Sequence, residues 1–391
     1  MLDEDLKLSN YDYTLPSECI AMHPTKPKEN AKLLVFERKS GKITHAKFGD
    51  LCEFLPPCAV VFNDTKVIKA RIYGTKNSGA KCELLFHKAL SEFKFLAQIK
   101  GRVKKGEILH FEGGVSAEIL ALNLDGTREI CFFADKNAEF FGENSRFGSE
   151  NLLNSVENSA NLREIALNLP QNSANLREIT LNLPQNSRLL NADEVLQMLE
   201  KIGHIPLPPY IKRADTNADN SDYQSIFAKH LGAVAAPTAS LHFSKPLLSE
   251  LAKAHEIYTL TLHIGAGTFK GVECEDIRLH TMHAECYALN DELAALIDSR
   301  QALLGVGTTV TRCIENYART GLKRGECELF LHPHNPPIRQ NYLLTNFHLP
   351  KSTLIMLVAA FVGRVKTLEL YKTAIAKGYK FYSYGDAMLI L

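Results

Sequence analysis

The run Ala59-Val-Val-Phe62 is apolar on both faces of an extended chain and breaks off into the polar Asn63-Asp64-Thr65. That pattern predicts a strand inside a sheet covered on both sides, with ligand-binding groups at its carboxyl end. Ahead of it, Leu33-Leu-Val-Phe36 and Lys42-Ile-Thr-His45 flank Ser40-Gly41, a hairpin signal. From Arg71 the texture changes. Short alternating segments separated by glycines, at 71–74, 81–86, 93–99, 107–111, 115–120 and 129–133, predict the strands of a small antiparallel barrel. Asn191 and Glu194 make a capping box that opens a helix to about Ile202, stopped by Pro206-Leu-Pro-Pro209. Beyond it strand and helix patterns alternate. Residues 257–264 put Tyr258, Leu260, Leu262 and Ile264 on one face and His263 on the other. Asn290 caps a helix through Arg300, residues 303–306 read as a strand, and Gly307-Thr-Thr309 leads into a helix to about Thr320.

The expected architecture is therefore an α/β catalytic domain with a mixed sheet, built from residues 1–65 and 200–391. A small antiparallel β-barrel domain is inserted at 66–140. Between them, residues 141–199 hold an insertion and a returning linker and helix. Within that insertion residues 158–171 and 172–185 match except at Ala166 against Thr180, a period of 14. Two copies are too few for a solenoid, so the repeat reads as a surface insertion without a catalytic role.

Length and charge narrow the classes. A chain of 391 residues with 45% apolar content has room for two or three domains and a sizeable core. Its 45 basic and 44 acidic residues leave a formal charge of +1, so any contact with nucleic acid must come from a local patch. The turn carrying Lys100, Arg102, Lys104 and Lys105 is the most basic cluster. Nine cysteines without a Cys-x-x-Cys pair suit reduced thiols in the cytoplasm. The longest apolar run, 354–362, falls well short of the roughly 18 residues of a membrane span.

Two stretches crowd small residues, a proline, hydroxyls and a histidine together: Ala235-Ala-Pro-Thr-Ala-Ser-Leu-His-Phe243 and Thr345-Asn-Phe-His-Leu-Pro-Lys-Ser-Thr353. Between them, Leu260-Thr-Leu-His-Ile-Gly-Ala-Gly-Thr-Phe269 runs a strand into a glycine turn. These bends, with the one after Phe62, are expected to converge on one pocket. His242, His263, His280, His283 and His348 are the natural proton movers, because imidazole titrates near neutral pH. Asp64 and Asp386 are candidate bases or hydroxyl holders, and Gly265 and Gly267 permit close backbone approach or positive φ. Lys351 stands where a cation opposes a helix dipole, a placement that suits an anionic ligand. His280, His283 and Glu285 also have His-x-x-His metal spacing, but no third and fourth ligand is clear, so no metal is expected. No Gly-x-Gly-x-x-Gly fingerprint follows any strand.

On residues 11–15, 61–73, 223–243, 260–269, 280–285, 305–309, 344–361 and 382–390 the chain resembles the S-adenosylmethionine:tRNA ribosyltransferase-isomerase family of queuosine biosynthesis. The resemblance runs the length of the chain apart from the insertion around 144–187. It implies transfer of the ribosyl part of S-adenosylmethionine to the 7-aminomethyl-7-deazaguanine at the tRNA wobble position. Rearrangement to epoxyqueuosine follows, with release of adenine and methionine. It further implies no cofactor, since S-adenosylmethionine is a substrate, and as partners a tRNA anticodon arm and S-adenosylmethionine; no membrane contact and a monomer are expected. Expected catalytic residues are His242, His263, Asp64, His283, Glu285 and His348. Asn63, Thr65, Arg71, Thr238, Gly265, Gly267, Thr268, Asn346, Lys351, Tyr384 and Asp386 are expected to bind substrate, and Lys100, Arg102, Lys104 and Lys105 to meet tRNA. Lys28-Glu-Asn-Ala-Lys32 replaces the Arg-Asp-x-Ser-Arg typical of relatives, His283-Ala-Glu-Cys286 the common His-Ser-Glu-Trp, and His332-Pro-His334-Asn335 a Pro-Gly-Tyr turn. The competing readings are an S-adenosylmethionine-dependent tRNA methyltransferase and a non-catalytic RNA-binding scaffold.

Overall fold

Every residue of Ala59–Asn63 is buried, as a strand apolar on both faces requires. It lies inside a nine-stranded mixed sheet of the computed structural model, which describes residues 3–135, 187–269 and 271–391. The repeat at 158–185 lies outside the described residues. The chain forms two units: Met1–Val67, Leu207–Lys229 and Ala235–Leu391 in one, Ile68–Pro206 with His230–Val234 in the other.

In the first unit the strand order is Arg324–Cys327, Glu285–Ala288, Ile257–Leu262, Ala59–Asn63, Leu303–Val306, Tyr342–Asn346, Ala387–Ile390, Lys32–Phe36 and Ile43–Lys47. Four neighbours in the middle run parallel, from Ile257–Leu262 to Tyr342–Asn346. Ala387–Ile390 is antiparallel to the last of these and parallel to Lys32–Phe36. Leu34, Phe36, Leu343, Met388 and Ile390 pack on one face under the helices Thr353–Val362 and Arg364–Ala376. On the other face Leu33, Val35, Val60, Phe62, Leu304 and Val306 meet Phe48, Phe243, Leu247 and Leu251. Both faces are thus covered, and successive residues of Lys32–Phe36, Tyr342–Asn346 and Ala387–Ile390 go to opposite cores.

Several local expectations shift by a residue or two. The strand expected over 257–264 ends at Leu262, and the helix capped by Asn290 spans Asp291–Asp298 because Ser299 is extended. Thr308–Thr320 begins after Gly307, whose φ of 95° would strain a side-chain-bearing residue.

In the second unit six antiparallel strands, Arg71–Lys76, Lys81–Ala89, Phe95–Lys100, Ile108–Phe111, Val115–Leu122 and Arg128–Asp135, pair in a ring. Arg128–Asp135 closes it by bonding both Phe95–Lys100 and Val115–Leu122. Ile72, Leu84, Phe95, Ala97, Leu109, Ile119, Ile130 and Phe132 are all buried, one side of each strand. Ser187–Leu189 adds a seventh strand beside Arg128–Asp135, and the Asn191 capping box starts Ala192–Ile202 as its side chain accepts from Glu194. Among the described residues, no helix is long and apolar enough to cross a membrane.

Candidate active site

Because four neighbouring strands are parallel, their carboxyl ends lie along one edge of the sheet, where α/β proteins gather ligand-binding residues. That edge receives Asn63-Asp64-Thr65, His263, Gly307 and Asn346-Phe347-His348. Asn63 ties it together: its amide Nδ2 donates to the Leu262 carbonyl at 2.9 Å and to Thr309 Oγ1 at 3.3 Å, and its Oδ1 accepts from the Leu262 and Thr65 amides, each at 3.1 Å. Asn63 therefore holds the loop instead of facing a ligand. Asp64 Oδ1 accepts from Thr261 Oγ1 at 2.6 Å, and Thr65 Oγ1 is 2.8 Å from His263 Nδ1.

The segment after Pro237 folds into a short 3-10 turn, Thr238–His242, against Tyr342–Asn346, and Ala239 sits over Gly307. Thr238 is half-buried there, whereas Ser240 and His242 are buried. The His242 ring stacks on Phe48, with centroids 4.7 Å apart. Burial pushes this imidazole down to about 4, opposed by the neighbouring Asn346 amide, so it is neutral at pH 7. Three buried atoms here, Ser240 Oγ, His242 Nε2 and Asn346 Oδ1, make no hydrogen bond of good geometry among the described residues, although the His242 ring and the Asn346 amide are close enough to interact. Ser240, inside the 235–243 stretch but not named as a candidate there, joins the candidate site on this ground. Buried polar atoms are nearly always satisfied in folded proteins, so three close together point to an incoming ligand.

A second cleft opens between Gly267, Thr268, His280, Met282, His283, Phe330 and Leu354, with Glu285 and Arg312 in its wall. Glu285 Oε1 accepts from the Gly265 amide at 3.0 Å, and Oε2 takes the Arg312 guanidinium. Arg312 donates its other groups to the carbonyls of Cys327 at 2.8 Å and Leu329 at 3.0 Å. His280, His283 and Glu285, which have His-x-x-His spacing, are not brought together as a ligand set among the described residues. Among the described residues the three side chains close enough to share an ion are Asp3, Asp5 and His334, and Glu285 is engaged by Arg312. Neither Gly265 nor Gly267 has positive φ, contrary to one of the two reasons offered for them. The other reason holds for Gly267, where a Cβ would come within 2.5 Å of the His283 ring; at Gly265 a Cβ meets nothing within 4 Å.

Other expected residues serve the fold around the site. His348 is buried, its Nε2 is 2.8 Å from Thr345 Oγ1, and burial holds it down at about 3, which leaves it neutral and poorly suited to carrying a proton. Asp386 accepts from the Lys32 and Lys380 amides, each at 2.7 Å, one on each oxygen. Tyr384 donates to Asp219 at 2.8 Å. Burial alone would raise the Asp219 carboxyl, but the Arg213 fork, Tyr384 and Thr216 hold it well below the usual range. Lys351 lies outside the helix it was expected to open: Ser352 is the cap, Lys351 has a φ of 54°, and its ammonium pairs with Asp12 at 2.5 Å. In the second unit, Arg71 pairs with Glu83 at 3.1 Å. The exposed Lys100, Arg102, Lys104 and Lys105 share their surface with Lys76 and Glu107, which pair at 3.1 Å.

Comparison with known proteins agrees with these motifs. A family described as queuosine biosynthesis protein matches residues 8–159 and 139–390. An S-adenosylmethionine:tRNA ribosyltransferase-isomerase of Campylobacter jejuni (strain RM1221) is 54% identical over the full length of both chains. Its counterpart in Campylobacter fetus subsp. fetus (strain 82-40) is 50% identical, again over all of both. The crystal structure of an S-adenosylmethionine tRNA ribosyltransferase from Thermotoga maritima aligns with 98% of this chain and 100% of its own, at 26% identity and a TM-score of 0.48.

Proposed function

Since the chain belongs to the queuosine biosynthesis protein family and is a transferase and isomerase acting on tRNA and S-adenosylmethionine, we propose that the carboxyl edge of the first unit's parallel strands is its active site. The enzyme moves the ribosyl group of S-adenosylmethionine onto the aminomethyl group of 7-aminomethyl-7-deazaguanine in the wobble position. It isomerises the sugar to the epoxycyclopentanediol of epoxyqueuosine and releases adenine and methionine. The single observation that carries the location is the trio of buried atoms without a well-formed hydrogen bond on Ser240, His242 and Asn346.

The reaction needs a base for the C5′ proton that the sulfonium acidifies, donors for the sugar oxygens, an acid for the departing adenine, and exclusion of water. Asp64 and His263 are the proton movers in this reading: both stand at strand ends, and each is oriented by a threonine hydroxyl. Neutral His242 offers a hydrogen bond in place of a charge. The Glu285–Arg312 pair anchors the Gly265 turn, and His283, packed on Gly267, lines the neighbouring cleft. The ring of the second unit is read as a small barrel that offers Lys100, Arg102, Lys104 and Lys105 to tRNA phosphates. Free thiols at all nine cysteines suit a cytoplasmic enzyme.

Purified protein, S-adenosylmethionine and tRNA carrying the aminomethyl deazaguanine test the reading directly. Free adenine and methionine support it. S-adenosylhomocysteine would identify a methyltransferase instead, and no small-molecule product a binding scaffold.

A further inference from the structure

Lys28 and Lys32 flank one short turn, yet the structure gives them different work. Lys32 Nζ donates to the carbonyls of Lys377 at 2.8 Å and Gly378 at 3.0 Å, closing the end of the Arg364–Ala376 helix, and lies 5.3 Å from the Tyr379 ring centroid. Lys28 is half-buried and has neither a hydrogen bond nor an ion pair from its ammonium among the described residues. The Asp222 carboxylate that attracts it is held by Lys26 at 2.8 Å. The turn Lys28–Asn30 packs against Thr238–His242, and the lysine's charge is felt at His242.

On the segment against which this turn packs, and on Asn346 next to it, lie the three buried atoms without a well-formed hydrogen bond. Asn346 cannot turn its amide freely, because Nδ2 donates to the Tyr382 carbonyl at 2.8 Å, so Oδ1 is a fixed acceptor. Ser240 carries a hydroxyl proton, and neutral His242 can present an N–H at Nε2. The set is one cation, two potential donors and one acceptor. A carboxylate joined to a neighbouring ammonium satisfies all four. A phosphodiester would confront the Asn346 oxygen with negative charge, and a ribose or nucleobase would leave Lys28 without a counter-charge.

We infer that Lys28, Ser240, His242 and Asn346 receive the α-amino-acid end of the sulfonium substrate, with Lys28 at the carboxylate and Asn346 Oδ1 at the ammonium. The identity of that substrate rests on the function proposed above. The assignment gives Lys28 the role that the sequence reading had offered Lys351.

The test compares S-adenosylmethionine, as substrate, with its decarboxylated analogue, as competitive inhibitor, at saturating tRNA. In Lys28→Met the KM for S-adenosylmethionine rises about tenfold or more, as expected for loss of a charge-assisted contact. The analogue's Ki and the KM for tRNA stay at wild-type values, and Lys28→Arg recovers most of the loss. Equal weakening of S-adenosylmethionine and its analogue overturns the assignment, as does a rise confined to the KM for tRNA. A wild type that binds both small molecules but releases no adenine overturns the functional reading alone, while one that binds the analogue as tightly as S-adenosylmethionine overturns the carboxylate receptor.

Discussion

Thr65 and His263 are joined across two neighbouring parallel strands by a contact of 2.8 Å between Thr65 Oγ1 and His263 Nδ1. The hydroxyl fixes the ring plane, so the opposite ring nitrogen has a set direction, while either tautomer can keep the contact. His263→Ala should lower kcat by about a hundredfold or more, in the range of a lost general acid or base. Thr65→Val should lower kcat by a smaller factor, with circular dichroism and thermal melting close to wild type for both. Adenine release measured against time provides the check, and a wild-type kcat in His263→Ala removes that residue from the chemistry.

Glu285 and Arg312 form a buried ion pair, and each alone would be an uncompensated charge. Arg312→Met is expected to cost about 3–5 kcal/mol in urea unfolding, whereas replacing both partners by apolar residues costs less than the two single changes added together. A single-variant loss below about 1 kcal/mol would mean that the pair is not buried in solution.

Acid should destabilise the first unit through its buried imidazoles. Their folded values, about 4 for His242 and about 3 for His348, lie below the ordinary 6.5, so the unfolded chain binds more protons as pH falls. Stability is therefore complete above pH 6.5 and declines between there and about 4, by roughly 2 kcal/mol per histidine at pH 5. Asp219 acts in a lower window: its depressed carboxyl stabilises above the unfolded value and loses that contribution only as pH falls below it. Urea melts at pH 7.5 and pH 5 decide the matter, and His348→Gln should show a shallower decline than the wild type.

Gly267 and Gly265 should respond differently to alanine. A Cβ at 267 would lie 2.5 Å from the His283 ring and must displace it, so Gly267→Ala is expected to depress adenine release. Gly265→Ala meets no neighbour and should leave the melting temperature unchanged. Reversal of that order would exclude His283 packing as the reason for a glycine at 267.

Lys351→Met is expected to change stability by less than about 1 kcal/mol, because its partner Asp12 is half-exposed and solvent screens the pair. Its KM for S-adenosylmethionine should move by less than that of Lys28→Met. A larger effect at Lys351 would transfer the carboxylate contact to that residue.

Hydrophobic patterning located Lys32–Phe36, Ala59–Asn63, Ile257–Leu262, Leu303–Val306 and the six strands of the ring, because burial dictates residue type directly, whereas Glu285–Ala288, Arg324–Cys327, Tyr342–Asn346 and Ala387–Ile390 were not singled out. The polar bends at 63–65, 235–243 and 260–269 stood out because hydroxyls, histidines and glycines interrupt the apolar pattern there. What each polar residue touches was not legible. Glu285 and Arg312 are 27 positions apart, and only the sheet brings them together. His348 and His242 look alike in sequence, but Thr345 satisfies one while the other keeps an unmatched nitrogen. Lys28 and Lys32 differ only in whether a helix end lies within reach. Such distinctions depend on tertiary neighbours, which a local pattern does not encode.

The strand Ala387–Ile390 bridges Tyr342–Asn346 to Lys32–Phe36, so the first hairpin reaches the rest of its sheet through a segment far from it in sequence. Until that segment pairs, Leu33, Leu34 and Val35 lack the partners Ala387, Met388 and Leu389. Closure of this sheet therefore rests on pairings of very high sequence separation, and a substitution that breaks Ala387–Ile390 would disable the unit as surely as a change at the site itself.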